Sequence, residues 1–395
     1  MELHANRRGR PLAPRAAVRS LLTVLLLWVG SVTLAACSPA AGGTHGAGVG
    51  ASSTNRLGSK RAGVKPPANF GVGLGLVTWD ETQGYTENFY TGTTTRGRFL
   101  KVEILYPTLS VKAPAVKVLA APAYRFGPYP VVVFAHGYDV DPDTYRALLD
   151  SWAEAGYVVV APFFPDTSLG AVAAQHGEDA EADIFNQPAD VLFVMSQVVK
   201  AAEGSPLTRI GYMHGMMNPA RLILAGQSDG GDTIAALMYD HAYAATRASM
   251  PVKPLAVALL SAGKFLRAED VYSAPAGAGA LALVVQSLTD ACNDPSNSSQ
   301  LYNMLKGPKW FIALTNATHL GPYVGLGVAA SVVEQATVAF FDLATGRPRA
   351  SPSLLHEKGD RTGVSTISSA ASVPLYPAPA PVADACSLPP GAPTD

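Results

Sequence analysis

Cysteine is scarce in this chain: three in 395 residues, at positions 37, 292 and 386. No two form a C-x-x-C pair, so no zinc site built on cysteine is expected. Charge is sparse too. Asp, Glu, Lys and Arg make up 15% of the residues and balance to a formal net −1. Without a basic excess, nucleic acid is not an expected partner. Long apolar runs are missing near the start, where the longest goes only from Leu21 to Leu34. A membrane-spanning helix needs roughly 20 residues. No motif demands a metal or an organic cofactor. What is present is a 48% apolar share, enough for a sizeable core.

The first 36 residues carry five Arg against one Glu, followed by the apolar run and the small pair Ala35-Ala36. That order makes residues 1–36 a secretory signal. Leu34-Ala35-Ala36-Cys37 resembles the lipobox of bacterial lipoproteins, which implies cleavage before Cys37 and a lipid on that cysteine. The alternative is a plain signal with an incidental Cys37. Residues 37–68 are rich in Gly, Ala, Ser and Pro and read as a flexible tether. Export and lipid anchoring at a bacterial envelope are therefore expected. In an exported chain the remaining Cys292 and Cys386 can pair, pinning a Pro/Ala/Ser-rich tail (347–395), or stay as two thiols.

Between 69 and 346 short apolar runs alternate with helical patterns. The runs 72–79 and 99–107 read as early antiparallel strands. Continuous runs at 129–137, 157–165, 221–226, 254–263, 280–287 and 309–319 read as strands buried on both faces. Helical patterns at 143–156, 187–202, 231–244 and 327–346 separate or follow them. Strand–helix alternation predicts an α/β fold with a mostly parallel central sheet, helices on both faces and ligands at the carboxyl ends of the strands.

Gly226-Gln227-Ser228-Asp229-Gly230 fits G-x-S-x-G. Alone it is a serine in a Gly-rich turn. Between a buried strand and a helix it has the setting of a nucleophile elbow. A serine hydroxyl needs a base, and the base needs an orienting acid. His319 lies just after a strand and is the candidate base. His176 and His214 precede the serine, His241 falls in the helix after it, and His356 lies in the tail. The acid is expected after the preceding strand, at Asp290, with Asp294 close by and Asp166 a weaker candidate. A tetrahedral oxyanion needs backbone N–H donors. The expected donors are Asp229, after the nucleophile, and Tyr138, after His136-Gly137. The loops 166–187 and 203–220 are expected to line the pocket. Met213, Met216 and Met217 either line an acyl site or pack the second loop.

The stretches "PVVVFAHGY", "AGYVVVAPFFP", "NQPADVLFVM", "RLILAGQSDGG", "LVVQSLTDACNDP" and "GPKWFIALTNATH" resemble α/β-hydrolases of the dienelactone-hydrolase, chlorophyllase, platelet-activating-factor-acetylhydrolase and cutinase branch. The resemblance implies an α/β-hydrolase fold and a serine hydrolase acting on a carboxylic ester. It carries nucleophile, acid and base onto Ser228, Asp290 and His319. Relatives often have G-H-S-x-G-G, so Gln227 and Asp229 depart from the pattern. Two other readings use the same residues: a non-catalytic scaffold that binds a ligand, and an acyltransferase passing the acyl group to an alcohol other than water.

Overall fold

The computed structural model describes residues 66–88, 93–109, 117–175, 178–265, 267, 270–273 and 279–389. Cys37, the signal segment and the tether as far as 65 lie outside them. The elements, in chain order, are β1 (Gly71–Asn88), β2 (Thr93–Thr108), β3 (Lys117–Val118), β4 (Tyr129–Ala135), α1 (Arg146–Glu154), β5 (Val158–Phe163), α2 (Leu169–Gln175), α3 (Gln187–Ala202), β6 (Met217–Gln227), α4 (Asp229–Tyr239), α5 (Ala244–Ala248), β7 (Ala256–Leu260), β8 (Leu281–Ser287), α6 (Pro295–Met304), β9 (Lys309–Leu314), α7 (Gly327–Thr345), α8 (Pro352–Gly359) and β10 (Ser365–Ser368).

The strands form one sheet in the order β10-β9-β8-β7-β6-β4-β5-β2-β1-β3. From β5 to β9 every neighbouring pair is parallel. Outside that block β2 on β5, β1 on β2 and β10 on β9 are antiparallel, and the two-residue β3 at one edge lies parallel to β1. All seven residues of β4 and all six of β5 are buried, because helices cover both sheet faces. Side chains alternate between two cores. Val131 and Val133 join one with α3, α4 and α6; Val132 and Phe134 join the other with α1 and α7. The long apolar α7 belongs to that second core, where Val333, Phe340 and Phe341 are fully buried.

Two sequence expectations change. The segment 203–220 leads into β6 and includes its first residues, so it sits at the amino ends of the parallel strands, away from Ser228 at the carboxyl end. Met213, Met216 and Met217 are buried in the core there, and the loop cannot line the elbow. The segment after 346 is also less irregular than its composition suggests. It adds α8 and the edge strand β10. It then runs back over α6, where Asn303 bonds both ways with Val373.

The chain leaves β4 toward β5 on one side and returns to β6 on the other. The sheet's switch in winding direction therefore falls between the carboxyl ends of β4 and β6. An open α/β sheet has its natural crevice at that point.

Candidate active site

Ser228 sits in that crevice, between β6 and α4. Its backbone adopts φ 53° and ψ −126°. Such a conformation costs a non-glycine residue about 1–3 kcal/mol. The surroundings hold it: the Ser228 N–H donates to the Leu260 carbonyl at 2.9 Å, and its own carbonyl accepts from Asp232 N–H at 2.9 Å. The two motif glycines make the turn possible. A Cβ on Gly226 would lie 2.3 Å from the Gly230 oxygen, and one on Gly230 would lie 2.1 Å from the Ala135 oxygen. Any side chain there would push the elbow off the sheet.

Three loops converge on the serine. Its hydroxyl donates to His319 Nε2 at 2.9 Å. The other ring nitrogen, Nδ1, donates to Asp290 Oδ2 at 2.8 Å. That carboxylate fixes the ring with its free lone pair toward Ser228. Asp290 accepts further hydrogen bonds from Cys292 N–H and Asn293 N–H on Oδ1, and from Gln286 Nε2 on Oδ2. Burial pushes its pKa up. The facing His319 and these bonds outweigh burial and hold the carboxyl below its usual value. Asp294 does not compete: it caps α6, accepting from Ser296 N–H at 2.8 Å. Asp166 lies beside Arg98 at 3.6 Å. Ser228, Asp290 and His319 are each at most 9% exposed.

The predicted oxyanion donors flank the serine. Asp229 opens α4, so its N–H lies at a helix N-terminus, where the field favours an anion. The same field suits its carboxylate, and the first turn carries Asp232 as well. Tyr138 follows Gly137, on which a Cβ would lie 3.1 Å from that of Ser228. His136 sets the orientation of the peptide between Gly137 and Tyr138. Its Nδ1 donates to the Gly137 carbonyl at 2.7 Å, and its Nε2 accepts from Phe164 N–H at 2.9 Å. In a planar trans peptide, C=O and N–H point opposite ways. Holding the oxygen toward His136 therefore turns the Tyr138 N–H away from it.

The loop after β5 braces this arrangement. Asp139 N–H donates to the Thr167 carbonyl, and Leu169 N–H to Asp141 Oδ1. Gln187 donates to Thr167 and accepts from Thr233 on α4. A cavity of about 400 Å³ borders the His319 loop at Asn316, Thr318 and Pro322, but Ser228 does not line it. Cys292 and Cys386 are joined by a disulfide with 4.9 Å between their Cα atoms, two residues from Asp290. Among the described residues no cluster of His, Cys, Asp and Glu is arranged to hold a metal.

Sequence reasoning missed Tyr145 and the positions of the Gln227 and His136 side chains. Tyr145 has no motif around it. Only its partners, 8 and 82 residues away, reveal what it does.

A family model described as Chlorophyllase matches residues 85–258, which includes Ser228 and ends before Asp290 and His319. A ferulic acid esterase from Streptomyces cinnamoneus superposes with a TM-score of 0.51 at 20% sequence identity. The match covers 74% of this chain and 94% of the esterase. No curated protein matches. The fold is that of the α/β-hydrolases.

Proposed function

We propose that this α/β-hydrolase is an exported, lipid-anchored serine hydrolase that cleaves a carboxylic ester. The observation that carries this is the continuous line of hydrogen bonds from Ser228 through His319 to Asp290. The names of the matching family and of the solved neighbour, an esterase, support an ester as substrate. Export and an anchor at Cys37 rest on the Arg-rich start, the apolar run and Leu34-Ala35-Ala36-Cys37.

The chemistry follows from the geometry. Ser228 Oγ attacks the ester carbon while its proton passes to His319 Nε2. Negative charge builds on the former carbonyl oxygen and meets the N–H groups of Tyr138 and Asp229. His319 then gives its proton to the departing alkoxide, leaving an acyl enzyme on Ser228. Water, deprotonated by the same nitrogen, releases the acid and restores the serine. Asp290 stabilises the imidazolium throughout without taking the proton.

A fluorophosphonate probe and p-nitrophenyl esters from acetate to palmitate test this reading. The wild-type chain should be labelled and should turn over at least one ester. Ser228→Ala should lose the label and roughly 10³-fold or more of the rate. Absence of any Ser228-dependent label would sink the proposal.

A further inference from the structure

Gln227 and Tyr145 stand beside the reacting groups without being among them. Both side chains are fully buried. Gly137 N–H donates to the Tyr145 hydroxyl at 3.1 Å, and that hydroxyl donates to Gln227 Oε1 at 2.6 Å. On its other side, Gln227 Nε2 lies 3.3 Å from His319 Nε2 and 3.5 Å from the His319 carbonyl oxygen.

The directions in this chain are forced. A backbone N–H can only donate, so the Tyr145 oxygen accepts from Gly137. The single hydroxyl proton is then available to Gln227, which must present its oxygen. That leaves the amide nitrogen facing His319. No amide flip satisfies all three contacts. The line joins three loops: the one after β4 that carries Tyr138, the elbow itself, and the one after β9 that carries His319.

We propose that Tyr145 and Gln227 are a positioning pair for the hydrolysis described above. They lock the loop of the Tyr138 oxyanion donor and the ring of His319 to the nucleophile elbow. Before attack, the amide N–H shares the His319 Nε2 lone pair with Ser228. When that nitrogen takes the serine proton it can no longer accept. The amide then keeps its second acceptor, the His319 backbone carbonyl, so the loop that carries the ring stays tethered in both protonation states. Gln227 accordingly replaces the histidine common in relatives without breaking the site, since a primary amide has an acceptor for Tyr145 and a donor for His319.

The inference rests on the serine-hydrolase reading, and a double-mutant cycle separates the two. Tyr145→Phe, Gln227→Leu and the double variant are compared with wild type for kcat and KM on one p-nitrophenyl ester. The rate of fluorophosphonate labelling and the melting temperature are measured on the same samples. Each single change should lower kcat and the labelling rate about ten- to a hundredfold, because small misplacements of reacting groups are costly. KM should stay within about threefold. The double variant should lose no more than the worse single one, since either change breaks the same line. A role in folding alone would lower the melting temperature and leave kcat of the folded enzyme in place. If Gln227→Leu does not fold, Gln227→Met replaces it in the cycle. Folded single variants with kcat within about twofold of wild type, or losses that multiply in the double variant, overturn the inference alone. A wild-type chain that is neither labelled nor active removes the hydrolase reading and this inference together.

Discussion

At His136, burial decides the chemistry. Burial drives its pKa down to about 4, although its bond to the Gly137 carbonyl pulls the other way. The ring is therefore neutral at ordinary pH, with one nitrogen donating and the other accepting. An unfolded chain protonates the same ring near 6.5. Between those two values the unfolded state binds more protons, so stability falls as pH drops through the window and levels off below it. The loss amounts to roughly 3 kcal/mol. Buried Glu103 and half-buried Asp150, both pushed up to about 7 by desolvation, shift stability in the opposite sense, so a variant is needed to isolate His136. Urea unfolding at about pH 7 and pH 4 should show that His136→Gln loses less stability than wild type on acidification, by about that amount. Equal losses would show that His136 is not the source. Ser228 was legible in the sequence because its signature is local: two glycines, a strand before and a helix after. Tyr145 and Gln227 were not, because their roles depend on partners 82 and 92 residues away.

At the scale of elements, the segment after α7 shows how a weak signal becomes a defined strap. β10 is only four residues long and gains its identity by pairing with β9. Its composition alone reads as irregular. A local clue was nevertheless present at Ser351-Pro352. Ser351 accepts from Leu354 N–H at 3.1 Å, and Pro352 occupies the first turn of α8. Beyond β10 the strap is fixed by Tyr302, which donates to the Ala370 carbonyl, and by Tyr376 stacked on Phe311. It ends at the Cys292–Cys386 bond, which closes a separation of 94 residues. Such a cross-link typically stabilises a fold by about 2–4 kcal/mol. Cys386→Ser should therefore lower the unfolding free energy by about that amount in urea titration. A change below about 0.5 kcal/mol would mean that the strap is held by its packing and not by the bond.

For the whole molecule, Arg98 joins the antiparallel edge of the sheet to the elements that frame the site. Its guanidinium donates to both oxygens of Asp190 on α3 and to both oxygens of Asp183 before it. Asp166, in the loop just after β5, lies 3.6 Å away. All four side chains are at most 3% exposed. Burial pushes the Asp190 carboxyl well above its usual range and Arg98 pulls it back down, so removing the cation leaves three buried carboxyl groups without their charged partner. Arg98→Met should cost about 3–5 kcal/mol in urea unfolding, well above the value of a surface pair. A loss below about 1 kcal/mol would show that the carboxylates are not buried as charges.

The sequence by itself determined the strand–helix alternation, the parallel sheet, the elbow at Ser228 and the strands that Asp290 and His319 follow. Each of these is written in local periodicity, in glycine placement or in which strand a residue follows. Only the tertiary structure shows which of Asp290 and Asp294 faces His319, because the two lie four residues apart: Asp290 bonds the ring and Asp294 caps α6. It also put the loop 203–220 at the far end of the sheet, turned a Pro-rich tail into a strap and gave Gln227 its partners. Those features depend on which distant segments meet in the buried crevice. Hydrogen-bond satisfaction and packing there are properties of the folded chain and not of any short stretch of it.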